Sequence, residues 1–325
     1  MNMKNFLKRS VSQNKESFKE LSFGFEKFGT KIGFSIVADK SFENQSEDIF
    51  SKAKEIYEKY DVIFNRFDAE SEISKLNLNL GRFQKVSKEI LEVVEKALLH
   101  NKETEGYFDP RIADFLKEAG YENDFSKMSK IQEGKRNEPS VISEKLEDDL
   151  KIEGDEVFFR RKMDFSGIVK GLVNDKVVEF FKKEGFEDFV VDSGGDMYFS
   201  GYDVNGEKWK IDVEGVSYEK LVLEISGEAV ATSGIAKRKW EKDGKRFHHL
   251  INPKNPDDFR FDLRSATVID ESTEKADVWA KTLFLMGKKK GIEFSKKNKI
   301  RSIFLDYSGN VWISPEMDKY KINTL

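Results

Sequence analysis

The sequence predicts one α+β domain in which helices pack on a mixed or antiparallel sheet. Two amphipathic helical patterns lie in the first third of the chain, and short strand patterns separated by turns follow one another in the second half. Neither an internal repeat nor a Pro/Gly/Ser-rich linker divides the 325 residues. Clustered strands beside helices are typical of an α+β fold with a single domain.

The first half of the chain contains one predicted strand and two predicted helices. Residues 1–24 are polar and charged, which predicts a flexible arm that precedes a domain of residues 25–325. Residues 29–38 alternate in polarity as a half-buried strand does. Apolar residues recur at helical spacing over 46–64 and again over 87–104, where Ser87 is suited to cap the second helix.

The second half predicts a series of short strands and a late helix. Residues 122–149 are charged and weakly periodic, which predicts a surface insertion, and 151–165 predict a hairpin around Gly154. A helix over 273–286 precedes a shorter one near 290–296, and a last hairpin turns at Gly309. The predicted strands between the hairpin and the helix are 189–191, 209–213, 221–225, 229–232, 247–251 and 265–269.

Composition excludes several classes of protein. Charged residues make up 36% of the chain but nearly cancel, with a net charge of −4, so no basic surface for nucleic acid is expected. The absence of Cys excludes disulfides, thiolate catalysis and Cys-ligated metal centres. No apolar run suits a signal peptide or a membrane span, which favours a soluble, cytoplasmic protein, although an exported location is not excluded.

The segment 163–201 carries the strongest functional pattern. An Asp-Phe-Ser-Gly turn that begins at Asp164 opens a helix with Lys170, Gly171 and Asp175, and a strand after this helix runs into Ser-Gly-Gly-Asp at 193–196. Glycines before a helix and after a strand let backbone amides approach an anion closely. Neither GxGxxG nor the P-loop pattern occurs. The segment therefore predicts a nucleotide-phosphate site without a standard fingerprint.

Four other segments place small or acidic residues at element boundaries. Taken singly, each suits an ordinary turn or a helix cap as well as a site. They are 64–77, 106–110 with Asp109 in a turn, 231–234 with 248–253 downstream, and 265–269 followed by 275–277.

Together and in this order, the segments resemble the ApbE family, the FAD:protein FMN transferases. The resemblance extends from about residue 28 to 312. The matching motifs are SEISKLN at 71–77, GYFDP at 106–110, DFSGIVKG at 164–171 followed by Asp175, GGD at 194–196, TSG at 232–234, HLINP at 249–253 and ADVWA at 276–280.

The resemblance implies a reaction and a metal. Such proteins cleave the pyrophosphate of FAD and attach FMN to a Ser or Thr of a target flavoprotein through a phosphoester bond, and AMP leaves. A divalent cation, usually Mg²⁺, neutralises charge on the pyrophosphate. By the family pattern, the Gly167 carbonyl and Asp277 would hold it, which are hard oxygen ligands suited to Mg²⁺.

The resemblance also implies flavin and adenosine contacts. The acidic residues alternatively cap turns, and the aromatic rings alternatively pack in the core. His249 would give acid–base help or contact a phosphate, and alternatively it is a hydrogen-bonded strand residue. The predicted catalytic residues are Asp277, His249 and Lys281. The predicted cofactor-binding residues are Phe28, Phe67, Tyr107, Phe108, Asp109, Asp164, Lys170, Ile251, Gly194, Gly195, Thr232 and Ser233.

Three departures from the family pattern bear on these implications. Lys281 stands where the family commonly has a Thr that binds the metal, and a protonated Lys has no lone pair to donate. Either Lys281 replaces part of the cation's charge, or it weakens metal binding. Arg111 replaces a Thr and adds either a phosphate contact or only a surface charge, and Asn252 replaces an Asp.

The leading functional hypothesis is therefore an Mg²⁺-dependent FMN transferase whose partners are FAD and a flavoprotein with an acceptor Ser or Thr. Two alternatives stay open. In one, the protein holds FAD without turnover because Lys281 spoils the metal site. In the other, it is an FAD pyrophosphatase with water as the acceptor.

Overall fold

The computed structural model describes residues 17–118, 145–213, 215–216, 221–235, 239–242, 245–256, 259 and 261–321. The helices in these ranges are α1 (Glu43–Phe64), α2 (Glu72–Leu78), α3 (Lys88–Glu103), α4 (Ala113–Glu118), α5 (Ser166–Glu184) and α6 (Thr273–Asn298). The strands are β1 (Phe18–Lys27), β2 (Thr30–Asp39), β3 (Phe83–Lys85), β4 (Leu150–Glu153), β5 (Glu156–Phe159), β6 (Phe189–Ser193), β7 (Met197–Ser200), β8 (Trp209–Asp212), β9 (Val222–Ile225), β10 (Glu228–Gly234), β11 (Lys239–Lys242), β12 (Lys245–His248), β13 (Leu263–Asp270), β14 (Ser302–Asp306) and β15 (Val311–Ile313).

An eight-stranded sheet forms the centre of the molecule. Its order is β1-β2-β6-β7-β10-β13-β14-β15, and every neighbouring pair is antiparallel. Small sheets of β3-β5-β4, β8-β9 and β11-β12 complete the strands. The α+β class predicted from the sequence is confirmed, and none of the described helices has the length and apolar character that a membrane crossing needs.

Two hydrophobic cores cover the two faces of the central sheet. The larger core contains apolar residues of α1, α3, α5 and α6 together with one face of the strands, such as Val191 of β6 and Ala231 of β10. The smaller core joins the opposite face, including Val190 and Val230, to β8 and β9. Successive strand residues point to opposite faces, so the alternation along β6 and β10 divides the two cores.

Most predicted elements are found where the periodicity places them. Ser87 caps α3, because its Oγ accepts from the Ile90 N–H at 3.3 Å. The predicted break before residue 290 corresponds to Gly287, which has φ of 77° inside α6. The strand predicted over 247–251 is observed only at its start, since β12 ends at His248. A turn follows at Asn252, whose carbonyl accepts from the Asn255 N–H at 3.1 Å.

Two predicted boundaries are wrong in part. Residues 18–24 belong to strand β1 rather than to a flexible arm, because β1 pairs along its whole length with β2 and buries Phe18 and Leu21. Residues 145–149 do not belong to a surface insertion, because Leu146 lies in the larger core at 1% exposure. The rest of the predicted arm, 1–16, and of the predicted insertion, 122–144, lies outside the described residues.

The crossing of α5 and α6 requires Gly171. A Cβ at this position would lie 2.7 Å from the Cα of Glu274. This Cα is a backbone atom of α6, so it cannot move aside as the end of a flexible side chain could. The glycine of the Lys-Gly motif therefore serves close packing of the two helices that carry most of the candidate site.

Replacing Gly171 by Ala is expected to lower the free energy of unfolding by about 1–3 kcal/mol, because the helices must separate. Urea denaturation followed by circular dichroism measures it. Gly24→Ala is the matched control, since its Cβ would meet the Ile32 carbonyl at an ordinary 3.6 Å. Equal midpoints for both variants would contradict the packing argument.

Candidate functional site

A tight turn at Asp164 joins three of the predicted motifs. Asp164 Oδ1 accepts from the Ser166 N–H at 2.8 Å, and Oδ2 pairs with Arg66 at 2.8 Å. The Asp164 N–H donates to the Pro110 carbonyl at 2.7 Å. The carboxylate thus caps the turn that leads into α5, as one of the two sequence interpretations predicts, while this turn brings segments 64–77 and 106–110 to the same place.

The motif at 71–77 supports this turn. Ser71 caps α2 by accepting from the Ser74 N–H at 3.2 Å. Asn77 binds both backbone groups of Met163, because its Oδ1 accepts from the N–H at 2.8 Å and its Nδ2 donates to the carbonyl at 2.9 Å. A side-chain amide can satisfy a donor and an acceptor at once, so Asn77 holds the backbone directly before Asp164.

Phe67 presents an exposed ring beside the turn. Its side chain is 46% exposed, and the Arg66 guanidinium lies 4.6 Å from the ring centroid. An exposed aromatic ring next to a cation suits stacking on a planar heterocycle. Plain core packing, the alternative interpretation of this ring, does not apply at Phe67.

Asp109 and Arg111 form a buried ion pair. Arg111 contacts Asp109 Oδ2 at 2.7 Å and Asp149 Oδ2 at 2.8 Å, and the three side chains are 2–4% exposed. Although burial opposes it, the two carboxylates raise the pKa of Arg111. Arg111 is therefore neither a surface charge nor placed to meet a phosphate, and Asp109 has a structural partner on both of its oxygens.

Tyr107 and Phe108 lie at the edge of the same region. Lys254 and Lys290 approach the Tyr107 ring at 5.3 and 4.8 Å from its centroid. The Phe108 ring lies beside Gly167, where an added Cβ would be 3.5 Å from it. Both rings are buried, at 9% and 7% exposure, and Phe108 combines packing with a position close to the start of α5.

The turn between β6 and β7 contains the predicted glycine pair. Gly194 and Gly195 have φ of 69° and 99°, and the Gly195 N–H donates to Asp192 Oδ1 at 2.7 Å. Thr30, at the β1–β2 turn, lies so close to Gly194 that no Cβ fits there. Phe28 in that neighbouring turn has φ of 53°, a left-handed conformation that is uncommon for a bulky residue.

Asp175 links α5 to α6. Its two carboxylate oxygens accept from the Thr273 and Glu274 N–H groups at 2.7 and 3.0 Å. These are free N–H groups at the start of α6, so the carboxylate acts as a cap supplied by another helix. Burial raises the pKa of the Asp175 carboxyl to about 6, against the opposing effect of these hydrogen bonds.

Because the folded-state pKa of Asp175 exceeds its ordinary value of 3.8, the folded protein holds this proton more tightly than the unfolded chain does. Its contribution to stability is therefore full below pH 3.8 and is lost as the pH rises through 6. The free energy of unfolding of wild type, minus that of Asp175→Asn, is expected to fall by roughly 2–3 kcal/mol between pH 4 and 7. Urea denaturation at several pH values measures this difference, and parallel profiles would contradict it.

A cluster of two lysines and two aspartates lies between α5, α6 and the β6–β7 turn. We call Lys170, Asp196, Asp277 and Lys281 the lysine–aspartate cluster. Lys170 pairs with Asp196, and Lys281 Nζ lies 2.5 Å from Asp277 Oδ2. Lys281 Nζ also donates to the Gly167 carbonyl at 2.9 Å. The carboxylates are buried at 3% side-chain exposure, whereas the lysines are 26% and 22% exposed.

The cluster pairs two buried carboxylates with two partly exposed ammonium groups. Burial and the nearby charge of Asp277 raise the pKa of Asp196, while Lys170 and Lys281 oppose the shift. The Oδ2 atoms of Asp196 and Asp277 contact the ammonium groups without hydrogen-bond geometry. Two carboxylates so close together favour an added positive charge, and the exposed sides of the lysines favour an anion.

The predicted metal ligands come together, but they already hold a cation of the protein itself. The Gly167 carbonyl and Asp277 meet at the Lys281 ammonium, which binds both. Within the described ranges, no group of three or more His, Asp or Glu side chains could hold a metal ion. With Lys281 in this position, the donor set does not fit Mg²⁺.

Other predicted site residues lie around this centre to differing degrees. Ser233 lies two residues after Ala231 on β10 and shares the helix-covered face of Ala231. Thr232 shares the opposite face with Val230, and its hydroxyl oxygen lies 2.9 Å from that of Thr267. The structure therefore places Thr232 on the side of the sheet opposite α5 and α6.

The histidine segment lies near α6. His248 packs edge-on against the ring of Phe284 at a centroid distance of 6.1 Å, and His249 beside it is half-buried. Ile251 is 3% exposed and packs with Phe115 and Leu116, which makes it a core residue.

Sequence reasoning missed three residues of this region. Asp196 was recognised only as part of a motif, and Arg66 and Asn77 were given no role. Their contacts span 98 and 86 residues of sequence, which no local pattern reports. The available signal was their position, because Asn77 lies in the SEISKLN motif, Asp196 lies in the GGD motif and Arg66 lies five residues before SEISKLN.

The chain is similar to known proteins along most of its length. The model of the ApbE family matches residues 28–304. The chain is 24% identical over 324 residues to the FAD:protein FMN transferase of Haemophilus influenzae, covering 96% of this chain and 94% of the relative. It is 28% identical over 249 residues to that of Vibrio cholerae, covering 71% of each.

Solved structures show the same fold. The Pseudomonas stutzeri flavinyl transferase ApbE, in its apo form, superposes with a TM-score of 0.79 at 21% identity, covering 93% of this chain and 96% of the other. The ApbE protein of Thermotoga maritima gives a TM-score of 0.80 at 21% identity, covering 93% and 99%.

Proposed function

This chain belongs to the ApbE family, and from that premise we propose that it transfers FMN from FAD to a Ser or Thr hydroxyl of a flavoprotein. In this reaction the acceptor oxygen attacks the phosphorus of the FMN half and a P–O bond forms. The bond from that phosphorus to the bridging oxygen breaks, AMP leaves with the bridging oxygen, and the hydroxyl proton passes to a base. Full-length similarity to a transferase supports the proposal.

The observation that carries the proposal is the convergence of separate motifs on the lysine–aspartate cluster. The start of α5, the β6–β7 turn and α6 are distant in sequence, yet they supply Lys170, Asp196 and Asp277 to one place. Two partly exposed ammonium groups at the start of a helix suit a diphosphate, because both the lysines and the helix N-terminus favour anions.

The surrounding residues suit the two ends of FAD. Phe67 offers its exposed ring for stacking. Asp164 holds the nearby turn through Ser166 and pairs with Arg66, whose guanidinium contacts the Phe67 ring. We assign Phe28, Gly194, Gly195, Tyr107 and Phe108 to the walls of the binding site. These positions follow the family resemblance. Two contacts support them, because Phe108 lies beside Gly167 at the start of α5 and Thr30, next to the turn that contains Phe28, lies beside Gly194.

Three residues are assigned to the chemistry. Lys281 neutralises charge that develops on the diphosphate, and Asp277 positions Lys281 through their ion pair. His249 is assigned acid–base help, because an imidazole exchanges a proton readily near neutral pH. The Mg²⁺ of the family pattern receives no step here, since the Lys281 ammonium holds its two predicted ligands.

Incubation with FAD and candidate acceptor flavoproteins tests the proposal. We expect one acceptor to gain the mass of one FMN at a Ser or Thr, with an equal amount of AMP in the supernatant. Asp277→Ala is the control that separates enzymatic cleavage from contamination.

Other results would support the alternatives. Free FMN and AMP without a modified acceptor would indicate a pyrophosphatase that uses water. Bound, intact FAD without AMP would indicate a flavin-binding protein. Intact FAD that does not bind at all would reject a role in flavin chemistry.

A further inference from the structure

The Lys281 ammonium lies where two oxygen ligands of a cation meet. It donates to the Gly167 carbonyl at 2.9 Å and contacts Asp277 Oδ2 at 2.5 Å. Gly167 belongs to α5 and Asp277 to α6, so the ammonium also joins the two helices. A lysine with two such partners has a fixed position at the edge of the lysine–aspartate cluster.

A divalent metal and this ammonium exclude each other. Mg²⁺ binds oxygen at about 2.0–2.1 Å, so an ion shared by Gly167 and Asp277 would occupy the space of the Lys281 Nζ atom. Lys281 would have to leave, and it could not then ligate the ion, because a protonated amine has no lone pair.

The ammonium can still reach a ligand. It has three N–H donors, of which one hydrogen-bonds to the Gly167 carbonyl, while Asp277 Oδ2 contacts the ammonium as its ion-pair partner. The Lys281 side chain is 22% exposed, so one side of it faces solvent. A point charge with a donor to spare is suited to bind a phosphate oxygen.

We propose that Lys281 is the built-in cation of this site, so that the protein binds the FAD diphosphate and acts on it without a divalent metal. This inference rests on the proposed function. The ammonium contributes one positive charge that cannot dissociate, and Asp277 and Gly167 hold it. The neighbouring Lys170 adds a second positive charge within the same cluster.

The first test compares FAD affinity with and without EDTA, using quenching of flavin fluorescence. The affinity of the wild type is expected to agree within about twofold in EDTA and in Mg²⁺. Lys281→Thr, which introduces a metal-binding side chain, is expected to bind FAD about tenfold or more weakly in EDTA, because a charge-assisted hydrogen bond is lost. Added Mg²⁺ is expected to restore the affinity of this variant.

The matched control is Lys297→Thr, the same substitution at an exposed position of α6. It is expected to behave as the wild type does in both conditions. The inference is overturned if EDTA weakens FAD binding by the wild type tenfold. It is equally overturned if Lys281→Thr binds FAD in EDTA as tightly as the wild type.

A second test uses Mn²⁺ as a spectroscopic substitute for Mg²⁺ and needs no FAD. By electron paramagnetic resonance, we expect the wild type to bind no ion at this position and Lys281→Thr to bind one that Asp277→Asn removes. The inference is overturned if the wild type binds a Mn²⁺ ion and the single variant Asp277→Asn, which retains Lys281, does not. If FAD binds neither the wild type nor Lys281→Thr, the Mn²⁺ result decides whether Lys281 takes the place of a metal ion.

The inference and the proposed reaction can fail separately. EDTA-insensitive FAD binding without modification of any acceptor would reject the transfer and support the built-in cation. FMN transfer that occurs only with added Mg²⁺ would support the transfer and reject the built-in cation.

Discussion

Replacing Asp277 by Asn is expected to lower the rate of FMN transfer by about 100-fold, the order found when a preorganised electrostatic group is removed. Asp277 is 2% exposed, and its carboxylate holds the Lys281 ammonium at 2.5 Å. Asn keeps the shape but carries no charge, so the ammonium loses the group that positions it. Single-turnover measurement of AMP release gives the rate.

The pH dependence distinguishes positioning from a general loss of structure. The charge of Asp277 contributes to the raised pKa of Asp196, second to burial, so its removal lowers that pKa. Any limb of the pH–rate profile that reports Asp196 is expected to move to lower pH in Asp277→Asn. Glu293→Gln, an exposed change on the same helix, is the control. An unchanged rate in Asp277→Asn would show that Asp277 has no part in the reaction.

Replacing Arg111 by Leu is expected to lower the free energy of unfolding by about 3–5 kcal/mol, the usual cost of breaking a buried ion pair on one side. The guanidinium is 2% exposed and is the shared partner of Asp109 and Asp149. Without it, two buried carboxylates lose their main compensating charge. Urea denaturation measures the effect.

Two further variants make this prediction specific. Arg82→Leu removes an exposed arginine and is expected to change stability by less than about 0.5 kcal/mol. Arg111→Leu combined with Asp149→Asn is expected to recover part of the loss, since one uncompensated carboxylate disappears. A single Arg111→Leu variant as stable as the wild type would show that the pair contributes no net stability.

The helices and most of the strands could be predicted because their signals are local. The period of apolar residues places α1 and α3, and Ser87 marks the start of the latter. Strand β1 was missed because its charged residues Lys19 and Glu20 make the start of the segment resemble the polar residues before it. Only its pairing with β2, over ten residue pairs, shows that it belongs to the sheet.

The motifs predicted candidate residues of the site but not the side chains that these residues contact. The motifs contain Lys170 and Asp277, which the structure brings into one cluster with Asp196. They did not reveal that Arg111 is enclosed by two carboxylates or that Thr232 faces the far side of the sheet. Those facts depend on packing between segments that are far apart in the chain.

The sequence by itself determined the α+β class, the family and the short motifs, because periodicity, caps and turn glycines act over a few residues. Tertiary structure alone decided what Lys281 does. The sequence left two outcomes for it, a replaced charge or a weakened metal site. Lys281 and Gly167 are 114 residues apart in the sequence, so no local pattern reports their hydrogen bond. Only the crossing of α5 and α6, made possible at Gly171, brings that ammonium to the oxygens that hold it.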